Sequence, residues 1–194
     1  MTTRLLLLAM MTAAAVLLPG CATSDPITRL NSTKSSAGQI ERDSRAALLS
    51  LYAQNPRAKA LGGTAKAVLV FPSVTRAGFM FGGKGGNGTM FRRDGSVGGY
   101  FQSVGASWGL QAGVQRFGYA LFLMDDKAVE NVNRSSGWEI GSSPTLVIVD
   151  RGMATSMTTT SINRGTYAFF FNQRGLMGGL GLQGSKITRI YPQQ

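Results

Sequence analysis

The stretch that most constrains this chain is Ser96–Met124, SVGGYFQSVGASWGLQAGVQRFGYALFLM, which carries one charge, Arg116, in twenty-nine residues. Glycine recurs at Gly98, Gly99, Gly105, Gly109, Gly113 and Gly118, with Tyr100, Phe101, Trp108, Phe117, Tyr119 and Phe122 between them. Gly105, Gly109 and Gly113 are four apart. In strands of side-chain period two they fall on one face and leave it bare of bulk. The opposite parity, Ala106, Trp108, Leu110, Ala112 and Val114, is then expected to fill a core. The pattern predicts two or three adjacent core strands, bent where glycine allows it.

The rest of the chain fits one glycine-rich domain. Glycine makes up 26 of 194 residues, roughly twice average usage. It lies among apolar and aromatic residues rather than in a linker. The net charge is +11, which favours acidic partners such as nucleic acid, anionic lipid or envelope polyanions. There is no histidine and only one cysteine. An intrachain disulfide and a Cys/His zinc site are therefore excluded, and no cofactor or metal is expected.

Residues 1–20 read as a signal peptide: Arg4 supplies a basic start, and Leu5–Leu18 is a fourteen-residue apolar run, short for a membrane span. Leu18-Pro19-Gly20-Cys21 resembles a bacterial lipobox. That resemblance implies acylation of Cys21 as the first mature residue, a palmitate-class anchor. Ala22 follows where an inner-membrane retention signal would have Asp, so the expected location is the bacterial envelope, on the outer membrane facing the periplasm. Residues 21–36 form a polar tether, and residues 37–194 the domain.

Ala37–Gln54 has small or apolar residues at Ala37, Ile40, Ser44, Ala47, Leu48, Leu51 and Tyr52, which is helical spacing. Asn55-Pro56 ends it, and Pro56 starts a short second helix. Strands are expected at Ala67–Phe71, ended by Pro72, and at Arg76–Gly82, with a glycine-rich turn over Gly82–Gly88. Asp94-Gly95 reads as a type I′ hairpin turn. Asp125–Arg134 reads as a helix with acids in its first turn. Extended pieces follow at Trp138–Gly141, Thr145–Val149, Met153–Ser161 and Thr166–Phe171. The last strand is Lys186–Tyr191, with Lys186 and Arg189 outward. The expected fold class is α+β, mostly antiparallel: a curved sheet or partly closed barrel of about ten strands with two or three packed helices.

Several motifs match by composition alone. Gly83–Gly88 and Gly179–Gly184 fit GxGxxG, but neither has the strand–turn–helix setting of a dinucleotide site. Gly105–Gly109 fits GxSxG, but no histidine exists to activate Ser107. No catalytic residue is expected. Basic residues are scattered except for Arg92-Arg93 at the hairpin tip, which weighs against nucleic acid.

Ala67–Phe79 (AVLVFPSVTRAGF), Ser107–Gln115 (SWGLQAGVQ) and Gly175–Ser185 (GLMGGLGLQGS) resemble, in order, the opening, central and closing motifs of the SYLF domain. Eukaryotic SYLF domains are associated with phosphoinositide and acidic-lipid binding, and yeast members also with actin. Lipid binding is attributed largely to a basic, amphipathic N-terminal segment. Ala37–Lys66 holds that place here, so the resemblance implies headgroup contacts by Arg42, Arg45, Arg57, Lys59 and Lys66. The expected function is a non-enzymatic, lipid-anchored envelope protein that binds anionic phospholipid. The alternative is a structural or protein-interaction module for which the lipid is only a tether.

Overall fold

The computed structural model describes residues 35–79, 81–108, 113–134, 136–140, 146–149, 165–175 and 185–193. Cys21, the lipobox, most of the tether, Met153–Ser161 and most of the closing motif lie outside these residues. Helix α1 (Ala37–Gln54) begins at Ser36, whose Oγ accepts the Gln39 N–H, and it buries Ile40, Ser44, Ala47 and Leu51. Helix α2 (Pro56–Thr64) starts at once, because the Asn55 side chain caps it and Pro56 fills a position that needs no N–H. Strands β1 (Ala67–Phe79), β2 (Phe81–Arg92), β3 (Val97–Trp108) and β4 (Gly113–Leu123) follow. Helix α3 (Asp126–Asn133) leads to β5 (Trp138–Ile140), β6 (Leu146–Val149), β7 (Thr166–Gly175) and β8 (Ser185–Ile190).

The fold is α+β, with three helices on one sheet among the described residues. The sheet order is β5-β8-β3-β2-β1-β4-β7-β6. Neighbours are antiparallel except β6 and β7, which are parallel. Eight strands are present among the described residues rather than about ten, and their linear order leaves the sheet open rather than closed as a barrel.

Three differences from the sequence reading have physical causes. Pro72 does not end a strand: β1 runs through it, and the irregularity of register between Phe71 and Val74 accommodates the missing donor. Gly82–Gly88 is the body of β2 rather than a turn. Gly86 and Gly88 are bare because the β1 backbone crowds them: a Cβ on either would collide with the Ser73 or Val70 carbonyl. Finally, β3 and β4 are not adjacent, since the β1–β2 hairpin lies between them.

That insertion also reverses the expected core parity. Phe101, Gln115, Phe117 and Tyr119 are buried, whereas Ala106 and Val114 are exposed. The hairpin at Asp94-Gly95 is not type I′, because Asp94 does not share the positive φ of Gly95 (80°). Gly95 N–H donates to Arg92 O, and Arg92 N–H to Ser96 O, closing a three-residue loop with a left-handed glycine.

Two apolar clusters lie on opposite faces. Val68, Val70, Phe91, Ala120, Phe122, Tyr167 and Phe169 pack under α1 and α2. Leu69, Phe71, Phe101, Phe117, Tyr119, Leu121, Leu123 and Ile187 pack with Ala128 and Val132 of α3. Asp125 joins α3 to β7: its carboxylate accepts the Ala128 N–H at its own helix start and the Gly165 N–H, both at 2.8 Å.

Candidate functional site: a basic groove between the helices and the first hairpin

Where α1 and α2 meet the β2–β3 hairpin, the helix-covered face opens into a groove of about 310 Å³. Leu48, Tyr52, Val68 and Phe91 supply apolar surface, and Arg45, Arg92 and Arg93 supply charge. The Arg45 guanidinium lies 4.6 Å from the Phe91 ring centre, within cation–π range. It also pairs with Glu41 at 2.8 Å and donates to Gly95 O at 3.4 Å. Arg93 donates to Thr64 O at 2.7 Å and so caps the end of α2. Arg92 donates to Val97 O at 3.2 Å across its own hairpin. Asp94 at the tip is held below the usual carboxylate range, chiefly by hydrogen bonds from the Ser96 side chain and backbone.

Tyr52 forms one wall because Gly62 lets it: a Cβ at Gly62 would overlap the Tyr52 phenol. Burial raises the pKa of that phenol, so it is neutral at physiological pH and available as a donor. The groove therefore offers guanidinium groups, one hydroxyl and aromatic surface to a ligand. That chemistry suits an anionic group attached to an apolar body.

Of the five basic residues singled out by the resemblance, the structure brings one, Arg45, into this groove. Arg42 is exposed on α1 and donates to Gln39 Oε1 at 2.7 Å. Arg57 is half-buried in the first turn of α2, and Lys59 is exposed on the same helix. Lys66 is exposed beyond α2 and stands 3.4 Å from Asp126. Arg92 and Arg93 complete the groove instead. Their adjacency in the sequence was the available signal, but nothing there placed the hairpin tip against α2. Arg189, expected to point outward, instead lies over Phe101 and donates to Asn133 Oδ1 and Gly98 O, both at 3.0 Å.

The chain's entry point lies at this end of the molecule. Ala37 N–H donates to Gln193 O at 2.8 Å. Strand β8 pairs Ile190 with Tyr100 of β3, so the segment after it runs on toward the hairpin. The first described residues, 35 and 36, therefore lie at the hairpin end of the domain. No helix among the described residues is long and apolar enough to cross a membrane.

Residues 104–190 match the family model Ysc84, described as "Las17-binding protein actin regulator". The matched span runs from the second half of β3 to the end of β8 and contains two of the three SYLF motifs. The groove, built from α1, α2 and the β2–β3 hairpin, precedes it. No curated protein matches the chain. Residues 104–190, which hold α3 and strands β4 to β8, are thus similar to the SYLF-domain family.

Proposed function

We propose that this protein is a non-enzymatic, lipid-anchored component of the bacterial envelope whose domain binds anionic phospholipid headgroups through the groove and its basic surroundings. The observation that carries the reading is the gathering of Arg45, Arg92 and Arg93 around Tyr52 and Phe91 at the end of the domain where the described chain begins. Acylation of Cys21 in an outer-membrane lipoprotein would tether that end toward the bilayer. Each basic residue near an anionic surface contributes about 1 kcal/mol, less at high salt.

Flotation of residues 23–194 with zwitterionic and anionic vesicles tests this, because the acyl anchor is absent. Binding is expected to anionic vesicles only, and to weaken with salt. Replacing Arg42, Lys59 and Arg92 together by Gln is expected to lower it about 100-fold, three charges at about 1 kcal/mol each. Equal binding by that variant, or none by the natural domain, would sink the reading.

A second reading has its own support. Arg45 and Arg93 already serve Glu41, Gly95 and Thr64, as in a surface built for shape. The family description names Las17 binding and actin regulation for the family. On this reading the groove is a protein-interaction surface, and the triple variant leaves vesicle binding unchanged.

A further inference from the structure

Helices α1 and α2 cover only part of their face of the sheet. The strand residues packed under them, Val68, Val70, Phe91, Ala120 and Phe122, belong to the half nearer the β2–β3 hairpin. Toward the other end of the strands the same face continues. Lys186 of β8, Val104 of β3, Gly85 of β2, Thr75 of β1, Arg116 of β4 and Arg174 of β7 pair in one row. Cross-strand partners share a face. The next row outward is Ala106, Gly83, Ala77 and Val114. Beyond it, Phe81 pairs with both Phe79 and Trp108 at the strand ends.

These rows face water. Val114 is 61% exposed, and Ala77 and Ala106 are exposed with it. Arg116, Arg174 and Lys186 are exposed as well, and none of the three makes a hydrogen bond or ion pair among the described residues. Arg116 and Arg174 stand directly opposite each other, a like-charge pairing that costs stability when nothing neutralises it. Strands β1 to β4 contain no acid. Among the described residues, the one acid in register with the basic row is Glu139 of β5, opposite Lys186 at the sheet edge.

Along the strands, charge therefore gives way to small apolar residues and then to an aromatic sequence at the ends. At a rise of about 3.3 Å per residue, Arg116 stands about 10 Å from Gly113, where β4 begins. An interfacial element buries its apolar part to about that depth and keeps its cations at the headgroups.

We propose that this end of the sheet is a second docking surface, which meets an anionic bilayer end-on. The row of Ala77 and Val114 then lies at the acyl boundary, and Arg116 and Arg174 lie at the phosphates. The helix layer does not obstruct this approach, because the strand ends lead. A second copy of the chain is the poorer occupant, since it would bring the same cations into the contact. The groove lies at the opposite end of the strands, so the two surfaces stand or fall separately.

Tryptophan emission tests it. The chain has two tryptophans, so Trp138→Phe leaves Trp108 as the reporter at the strand end. The full-length Trp138→Phe chain is mixed with vesicles of phosphatidylcholine, alone or mixed equally with phosphatidylglycerol, with and without lipid brominated near the top of the acyl chain. Quenching by brominated lipid is expected on the anionic vesicles and much less on the neutral ones. Arg116→Gln with Arg174→Gln is expected to lower the ratio of docked to free chain about 30-fold, the effect of two basic residues near an anionic surface. Val114→Glu is expected to abolish the quenching. Tm is expected to hold in these variants, because the three side chains are exposed. The groove variant, with Arg42, Lys59 and Arg92 replaced by Gln, is expected to stay quenched. Should Trp138→Phe not fold, the difference in quenching between the natural chain and Val114→Glu gives the same reading. Three results overturn the proposal: no quenching by lipid, quenching that survives both Val114→Glu and the double arginine variant, or quenching lost in the groove variant. An emission change that follows protein concentration rather than lipid also overturns it, in favour of a second copy.

Discussion

The two faces of the central sheet spend their polar residues in opposite ways. Under α1 and α2, the charged groups stand at the edge, around a groove that water enters, and most of their hydrogen bonds close turns or cap helices. Under α3, charge is carried inside: Lys84 is nearly fully buried beside Arg76, in the same layer as Phe101 and Tyr119. The same strands build both faces, because adjacent residues of a strand point to opposite sides. Basic residues at an edge cost little and hold shape, whereas taking a cation out of water in an interior row carries a desolvation cost.

The strongest test of this contrast removes apolar mass from the α3 side. Phe71 is fully buried and stacks on Tyr119 with ring centres 4.7 Å apart. Phe71→Ala is expected to destabilise the domain by about 3–5 kcal/mol in urea unfolding. A loss below about 1 kcal/mol would mean that the layer is loosely packed and that buried charge there costs little.

A smaller effect concerns Lys84 itself. Its folded pKa is about 8 against an ordinary value of 10.5. Between those values the unfolded chain keeps a proton that the folded chain has released, so stability rises with pH through the window. Burial raises the Tyr52 and Tyr119 pKa values above 10.0, and these groups lower stability beyond pH 10. Stability is therefore expected to climb by about 2 kcal/mol from pH 7.5 to a maximum near pH 10. In Lys84→Met the climb is expected to vanish, as read by urea midpoints across that range. A wild-type profile that is flat there would remove the buried charge from the comparison.

The least effect belongs to an exposed ion pair at the rim, between the chain just after α2 and the start of α3. Lys66 and Asp126 are 3.4 Å apart and both exposed. Lys66→Ala is expected to change stability by less than about 0.5 kcal/mol. A loss several times larger would show that exposed rim charges also carry the fold, and would weaken the contrast between edge and interior charge.

Much of the helical part was legible because its signals are local. The spacing of Ile40, Ala47 and Leu51, the Asn55-Pro56 junction and the acids opening α3 each act within a turn or two, and the observed bounds of α1, Ala37–Gln54, follow from them. The strands were legible in kind but not in arrangement. Gly82–Gly88 looks like a turn when glycine is read for backbone freedom alone. In the folded chain those glycines answer to the β1 backbone lying against them. The groove was missed for the same reason: Arg45 and Arg92-Arg93 are nearly fifty residues apart, and only docking of α1 across the hairpin joins them.

By itself, then, the sequence determined the helices, the strand-rich composition, the basic charge and the resemblance of residues 104–190 to the SYLF family, all of which depend on neighbours along the chain. The tertiary structure decided that β1 and β2 insert between β3 and β4. That choice set which parity of each strand is buried, placed Lys84 beside Arg76 inside the fold, and left Val114 in water. Strand pairing is non-local: one alternating strand fits several partners, and the free energy that selects among them comes from burying whole faces together.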